Sequence, residues 1–153
     1  NFAATQCPEL EIEAIDDAAR RLVLEQFCLG EKSWRSVRNK DVFPFLCEWL
    51  TNEQRAALDQ LVPEEINLPA RKSPARLRFD EDGEVTLAAT VQDLYDLDGT
   101  PTIAGGSYLL RVEVLAPNRR PVQVTRDLSA FWKDSYEAIK NELAGRYPKH
   151  KWR

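Results

Sequence analysis

Methionine is missing from the sequence altogether, and histidine occurs once, as His150. An intact cytosolic protein begins with methionine unless it is removed, whereas this chain begins with Asn1. We therefore expect a piece of a larger protein whose chemistry lies elsewhere. With one histidine and no Cys-x-x-Cys pair, a four-ligand zinc site would need unusual ligands. We expect Cys7, Cys28 and Cys47 to lie in or near cores as small hydrophobic side chains.

Long apolar runs are also lacking. The longest, "VFPFLCEWL", is interrupted by Pro44 and Glu48 and falls well short of the roughly 18 residues that a membrane span requires. No secretory leader is recognisable. The composition, 43% hydrophobic and 30% charged, is that of a globular protein. These features predict a soluble, cytoplasmic chain with no membrane partner, and a monomer is favoured.

Sequence motifs for nucleotide binding and catalysis are lacking too. "IAGGS" contains Gly105 and Gly106 but neither the spacing nor the lysine of a phosphate-binding loop, so we expect a turn with positive φ there. The acidic stretch 80–82 lacks the calcium-loop pattern and predicts a solvated hairpin tip. No pair of carboxylates or serine stands out for acid–base or nucleophilic work. We predict no catalytic residue, no metal ligand and no bound cofactor in this chain.

Helical patterns dominate residues 1–62. After Asp16, apolar residues recur every three or four positions, and this helical pattern ends at Gly30. Ser33 and Asp41 can each cap a short helix. Thr51 and Gln54 form a capping box for a further helix. The first part therefore reads as a helical lead-in segment of three or four short helices.

Strand patterns dominate residues 63–153. "LRF" and "EVTLA" flank a turn, "YLLRVEVLA" and "PVQVT" flank another, and "ATVQDLYDL" suits a short helix. Asp127 can cap a long closing helix that we expect to end at Gly145. Its apolar stripe, which we expect in the core, comprises Leu128, Phe131, Trp132, Tyr136, Ile139 and Leu143. The prediction is an α+β fold in which a small antiparallel sheet of two hairpins is covered by a short and a long C-terminal helix.

Charge is uneven along the chain. Residues 1–70 hold 7 Lys and Arg against 13 Asp and Glu, whereas residues 140–153 hold 5 against 1. A basic, aromatic end is a candidate for an anionic partner such as single-stranded RNA. The candidate nucleic-acid-binding residues are Arg119, Arg120, Arg126, Lys140, Arg146, Tyr147, Lys149, His150, Lys151 and Trp152.

The C-terminal segment "GRYPKHKWR", residues 145–153, admits three interpretations. Gly145 and Pro148 are typical of a helix end, after which Tyr147 and Trp152 would hold the segment against the body of the protein. Alternatively, its cations contact nucleic acid while the aromatic rings stack on bases. A metal or catalytic role for His150 is the least favoured.

A longer resemblance covers the same region. "TPTIAGG" and then "LAPNRRPVQVTRDLSAFWKDSYEAIKNELAGRYPKHKW" resemble the C-terminal domain of HrpB-type bacterial ATP-dependent helicases of the DEAH/RHA group. The run 117–152 is the strongest part, residues 61–116 follow the same order of elements, and residues 1–60 resemble the preceding helical segment. "LPARKSPARL" departs from the shorter, glycine-containing turn of the family, which leaves the register of the first hairpin open.

The resemblance implies an accessory role. The family's phosphate loop, DEAH box and arginine finger, and with them ATP and magnesium, belong to upstream domains, so no catalytic residue carries over and the chain alone is expected to be inactive. The implied partners are the upstream helicase domains of the same polypeptide, with single-stranded RNA as a candidate partner. A scaffold that contacts RNA and a module that docks the helicase to another protein without touching RNA both remain open.

Overall fold

The computed structural model describes residues 1–153 in full, and the chain divides into two compact units. The helical unit comprises Asn1–Leu61 and the sheet unit comprises Val62–Arg153. No helix is long and apolar enough to cross a membrane.

The helical unit consists of short helices. They are α1 (Phe2–Gln6), a 3₁₀ turn (Pro8–Leu10), α2 (Asp17–Cys28), α3 (Trp34–Arg38), α4 (Phe43–Cys47) and α5 (Asn52–Leu61). The rings of Phe27 and Phe45 meet edge to face with centroids 5.5 Å apart. The Lys40 ammonium lies over both rings and donates to the Phe27 carbonyl at 3.0 Å.

The starts of α2, α3 and α5 follow the predicted caps, whereas the prediction for Asp41 is wrong by one residue: Val42 is the N-cap residue of α4, and the Asp41 carboxylate accepts from the Phe43 amide at 3.0 Å. The Asp16 carboxylate accepts from the Ala19 amide at 2.7 Å, and the Ser33 hydroxyl accepts from Ser36 at 3.2 Å. At the start of α5, Thr51 and Gln54 exchange both capping-box hydrogen bonds, at 3.0 and 3.1 Å. Each bond satisfies an amide that has no partner within the helix.

The sheet unit contains seven strands. They are β1 (Glu65–Ile66), β2 (Ala75–Phe79), β3 (Val85–Thr90), β4 (Thr102–Ile103), β5 (Tyr108–Leu109), β6 (Arg111–Leu115) and β7 (Pro121–Thr125). Five of them form one sheet in the order β1-β2-β3-β6-β7, and β4 pairs with β5. The α+β class and both predicted hairpins are confirmed. The first hairpin pairs Leu77 with Leu87 and Phe79 with Val85, which settles its register.

The two hairpins join differently from the prediction, because β3 and β6 pair in parallel and the sheet is mixed rather than wholly antiparallel. After β3 the chain makes a 3₁₀ turn (Val91–Leu94) and then the small β4–β5 hairpin. This crossover returns the chain to the start of β3, so β6 runs in the same direction. Gly105 and Gly106 have the predicted positive φ, at 63° and 92°.

The closing helix is interrupted. It comprises α6 (Leu128–Ala130), a π-helical turn (Phe131–Ser135) and α7 (Tyr136–Arg146). Asp127 caps it as predicted, accepting from the Ala130 amide at 2.9 Å. The prediction that Gly145 stops the helix is wrong by one residue: Gly145 lies inside α7, which ends at Arg146, and Tyr147 caps the end with φ of −127°.

Most of the predicted core stripe is buried. Leu128, Phe131, Tyr136 and Leu143 are buried, as are Leu87 and Val112 of the central strands, while Trp132 and Ile139 are half-buried. The prediction for cysteine holds in part, because Cys7 is buried, Cys47 is half-buried and Cys28 is exposed at the end of α2.

Candidate nucleic-acid interface

Two of the candidate cations lie at the β6–β7 turn. Arg119 adopts a left-handed conformation, with φ of 64°, and its amide donates to the Ala116 carbonyl at 2.8 Å. The Arg120 amide donates to the Asn118 side chain at 3.2 Å, and the Arg120 side chain is exposed. The turn therefore holds its backbone by local hydrogen bonds and leaves both guanidinium groups without an ion pair.

Arg126, just after β7, is already engaged. Its guanidinium binds the Glu84 carboxylate, donates to the Leu109 carbonyl at 3.4 Å and lies 5.9 Å from the centre of the Tyr108 ring. The hydrogen bond to Glu84 raises the pKa of Arg126 further above its ordinary value. A phosphate would have to compete with this carboxylate for Arg126.

Lys140 lies on α7 and is also partnered. Its ammonium pairs with Glu137 at 3.3 Å and lies 5.7 Å from the centre of the Tyr136 ring. Both side chains of the pair belong to one helix, three residues apart, and such pairs are weak.

The C-terminal segment presents the remaining candidates. Arg146, Lys149, His150 and Lys151 are exposed, and none of them forms an ion pair. The His150 ring lies edge-on to the Tyr147 ring with centroids 6.1 Å apart, and the indole N–H of Trp152 donates to the Tyr147 carbonyl at 3.1 Å. These contacts give the segment a compact shape in which its cations face solvent.

A contact that sequence reasoning missed holds the end of the segment. The Tyr136 hydroxyl donates to the Arg153 carbonyl at 2.8 Å and accepts from the Arg153 amide at 3.1 Å. The same oxygen lies 2.8 Å from the Tyr95 hydroxyl. Because the single proton of Tyr136 goes to Arg153, Tyr95 donates to Tyr136.

The Arg153 side chain completes this anchor. Its guanidinium binds the Asp96 carboxylate and lies 4.8 Å from the centre of the Tyr95 ring. The hydrogen bond from Arg153 lowers the pKa of Asp96, whereas burial, and then the hydrogen bond with Tyr136, raises the pKa of Tyr95 well above its ordinary value. No local sequence pattern links Tyr95, Tyr136 and Arg153, because they are far apart along the chain.

The structure thus brings together the candidates between Arg146 and Trp152, but no hydrogen bond, ion pair or ring contact joins them to the β6–β7 turn. No group of three or more His, Cys, Asp or Glu side chains is placed to hold a metal ion.

A cleft that the sequence did not reveal lies beside the β6–β7 turn. It has a volume of about 280 Å³ and combines two arginines, two hydroxyls and one carboxylate with an aliphatic floor. We call it the arginine cleft; its lining residues are Arg71, Ser73, Ala88, Ala89, Thr90, Asp93, Leu115 and Arg119. Arg119 was among the predicted nucleic-acid-binding residues, but no sequence pattern places Arg71 or Thr90 beside it.

Comparison with known proteins bears on the whole chain. The family model HrpB_C, described as "ATP-dependent helicase C-terminal", matches residues 23–153. The chain belongs to this family. The match begins inside α2, so the family's sequence pattern includes most of the helical unit as well as the sheet unit.

Individual relatives, compared by sequence and by structure, point to the same family. The chain is 36% identical to the ATP-dependent RNA helicase HrpB of Escherichia coli K12 over 154 residues, covering 98% of this chain and 19% of that protein. It superposes on the crystal structure of the E. coli DExH-box NTPase HrpB with a TM-score of 0.86 at 35% identity. That match covers 99% of this chain and 19% of that one. A second crystal structure, of the E. coli DEAH/RHA helicase HrpB, matches with a TM-score of 0.74. This chain therefore corresponds to about a fifth of the length of its relatives.

Proposed function

We propose that this chain is the non-catalytic C-terminal accessory region of an ATP-dependent RNA helicase, and that it acts by docking its helical unit against the other domains of that polypeptide. The observation that carries the proposal is the exposed apolar surface of the helical unit.

In this unit, the large apolar side chains that are exposed outnumber the apolar residues that are buried. Leu29 and Trp34 are 81% and 77% exposed, and five further large apolar side chains of the unit are also exposed. The full set is Leu22, Leu24, Leu29, Trp34, Val42, Phe43 and Trp49. Only four apolar residues of the unit, Cys7, Leu10, Val23 and Phe27, are buried. Exposed apolar surface in this amount is typical of a surface that another protein covers.

The rest of the polypeptide is the partner that fits best. The relatives are about five times as long as this chain, so most of the protein that would lie beside it is outside the chain. These domains are part of the same polypeptide, so they are always present beside this chain. Burying apolar surface between domains stabilises their arrangement by about 25 cal/mol for each Å² of apolar surface buried.

The test measures affinity between the 153-residue chain and a polypeptide comprising the remaining helicase domains, by titration calorimetry. Replacing Leu29→Ser together with Trp34→Ser should weaken binding by about tenfold or more, because exposed aromatic and aliphatic anchors dominate such contacts. Since both side chains face solvent, the variant should melt at the same temperature as the unmodified chain.

A matched control removes apolar side chains from the sheet unit. Leu109→Ser with Val124→Ser replaces two apolar residues that are also exposed, at 49% and 51%, and should leave the affinity unchanged. Equal weakening by both variants, or no binding by the unmodified chain, would contradict the docking proposal.

A second candidate role is contact with single-stranded RNA through the C-terminal segment. The observation that favours it is the group of unpaired, exposed cations Arg146, Lys149 and Lys151 beside the half-buried Trp152 and Tyr147. Cations of this kind bind phosphates, and an aromatic ring can stack on a base.

This role predicts RNA binding that weakens with salt and with Lys149→Glu plus Lys151→Glu. Because neither lysine side chain has a partner, the reversal of charge should not alter the fold. The control, Lys32→Glu with Lys133→Glu, makes the same change in net charge at exposed positions elsewhere. If the Lys149→Glu plus Lys151→Glu variant binds RNA with unchanged affinity, the C-terminal segment is not the RNA contact.

A further inference from the structure

We propose that the arginine cleft binds a phosphate group of a nucleic-acid backbone, with Arg71 and Arg119 as its two cationic ligands. The proposal goes beyond both roles above, because the cleft lies neither on the apolar surface of the helical unit nor on the C-terminal segment.

The donors in the cleft have free capacity. Arg71 donates through Nε to the Ser73 hydroxyl at 3.4 Å, which leaves its terminal nitrogens without a partner. Arg119 makes no side-chain hydrogen bond, and neither arginine belongs to an ion pair. A guanidinium group without a carboxylate partner is the side chain best suited to hold a phosphate with two parallel hydrogen bonds.

The hydroxyl groups can add further donors. Thr90 Oγ1 accepts from the Asp93 amide at 3.3 Å, and Ser73 Oγ accepts from Arg71, so the proton of each hydroxyl is available to a ligand. The one carboxylate, Asp93, is occupied by the Thr90 amide at 3.3 Å in the same capping box. The balance of formal charge in the cleft is therefore two positive groups against one negative.

The lining favours a phosphate over a base. No aromatic side chain lines the cleft, so nothing there can stack on a nucleobase. Ala88, Ala89 and Leu115 form a low aliphatic floor at the ends of the parallel strands β3 and β6, where Thr90 pairs with Leu115. Polar groups around an aliphatic floor suit a phosphate together with part of its sugar, which implies binding without sequence preference.

The adjoining sheet face would let a nucleic-acid chain continue beyond the cleft. Arg78, Thr86 and Arg111 are register neighbours on one face, and Ala88 and Thr90 of the cleft follow Thr86 on that same face. Arg78 is 61% exposed and pairs with Glu113 at 3.2 Å, and Nε of Arg111 is buried without a hydrogen-bond partner. A backbone running from the cleft along this face would meet further arginines.

The experiment measures binding of the 153-residue chain to a fluorescein-labelled single-stranded oligouridine by anisotropy over a range of salt concentrations. Arg71→Gln with Arg119→Gln should weaken binding about tenfold. The slope of log affinity against log salt should become shallower by about 0.7, the value for one phosphate on a single strand. Arg119 is exposed and Arg71 is half-buried. An unchanged melting temperature will show that the variant is folded.

Two control variants make the result specific. Arg35→Gln with Arg38→Gln removes the same two charges from exposed, unpaired positions of the helical unit and should leave affinity and slope nearly unchanged. Arg71→Lys with Arg119→Lys keeps the charge but loses the paired geometry, so affinity should fall less than in the glutamine variant while the slope stays. If the glutamine variant binds RNA with the affinity and slope of the unmodified chain, the proposal is overturned.

A comparison of oligouridine with inorganic phosphate and ADP tests whether the cleft binds the phosphate of a nucleic acid or that of a small molecule. In ¹⁵N–¹H NMR spectra, the oligouridine should shift the amides of Ser73, Thr90 and Arg119 at micromolar concentration, whereas inorganic phosphate and ADP should do so only at far higher concentration. Shifts by phosphate or ADP with no effect of the RNA would overturn the nucleic-acid assignment. Loss of RNA binding in the Lys149 and Lys151 variant but not in the Arg71 and Arg119 variant would locate the contact on the C-terminal segment instead.

Discussion

A single hydroxyl group, that of Tyr136, connects three parts of the sheet unit. It donates to one backbone group of Arg153 and accepts from another, while the Tyr95 hydroxyl donates to it. Because Tyr136 is only 6% exposed, these partners lie where water does not replace them readily. The chain end is therefore held by a buried polar group rather than by the exposed cations that precede it.

Tyr136→Phe should destabilise the sheet unit by about 1–3 kcal/mol, because the Tyr95 hydroxyl loses its closest partner in a buried position. Thermal denaturation measures the loss, and hydrogen exchange at the Arg153 amide should accelerate at the same time. Tyr147→Phe is the matched control, since no hydrogen bond to the Tyr147 hydroxyl is present and its removal should be nearly neutral. Equal stability of the two variants would contradict this role for Tyr136.

The raised pKa of Tyr95 predicts a dependence of stability on alkaline pH. Above the ordinary tyrosine pKa of about 10, the unfolded chain loses the Tyr95 proton while the folded chain keeps it. The folded state then binds more protons than the unfolded state, so stability is full below pH 10 and falls as the pH rises above it. Urea denaturation at pH 8 to 11 should show this decline, and Tyr95→Phe should make it shallower. An unchanged decline in that variant would assign the effect to other groups.

At the scale of elements, side-chain caps satisfy the first amides of α2, α3, α5 and α6. The capping box at the start of α5 also makes a contact between elements. The Gln54 side chain donates to the Leu10 carbonyl at 3.0 Å and so joins α5 to the 3₁₀ turn of the same unit. One residue thus links local helix formation to packing between elements.

Thr51→Ala should lower the stability of the helical unit by about 1 kcal/mol, since the Gln54 amide loses its cap. Helical circular dichroism followed during heating provides the measurement. Thr51→Ser keeps the hydroxyl and should restore most of the loss, while Asn52→Ala, one residue later at an exposed position, should have little effect. Full stability of Thr51→Ala would show that packing alone sets the start of α5.

At the scale of the whole molecule, the proposed accessory role predicts that the 153-residue chain alone hydrolyses no ATP. Its sequence contains no phosphate-binding loop, and its arginine cleft lacks the lysine and the glycine-rich backbone that such a loop supplies. Phosphate release should equal that of buffer, with and without RNA, in an assay where a helicase containing the upstream domains is active. Turnover that copurifies with the folded chain would contradict the accessory role.

What the sequence determined about this protein is mostly local. Caps at Asp16, Thr51 and Asp127, the positive φ of Gly105 and Gly106, and the apolar stripe through Phe131 and Leu143 each depend on neighbours a few residues away, and all are confirmed. The run 117–152 was long enough to indicate the family, which the family model and the relatives confirm.

What only the tertiary structure decided concerns contacts between distant residues. The parallel pairing of β3 with β6 depends on the path of the crossover. Arg153 meets Asp96, and Arg71 lines a cleft with Arg119, across separations of 57 and 48 residues. No periodicity or spacing encodes such pairs, because they form only when the sheet and its connections bring remote loops together.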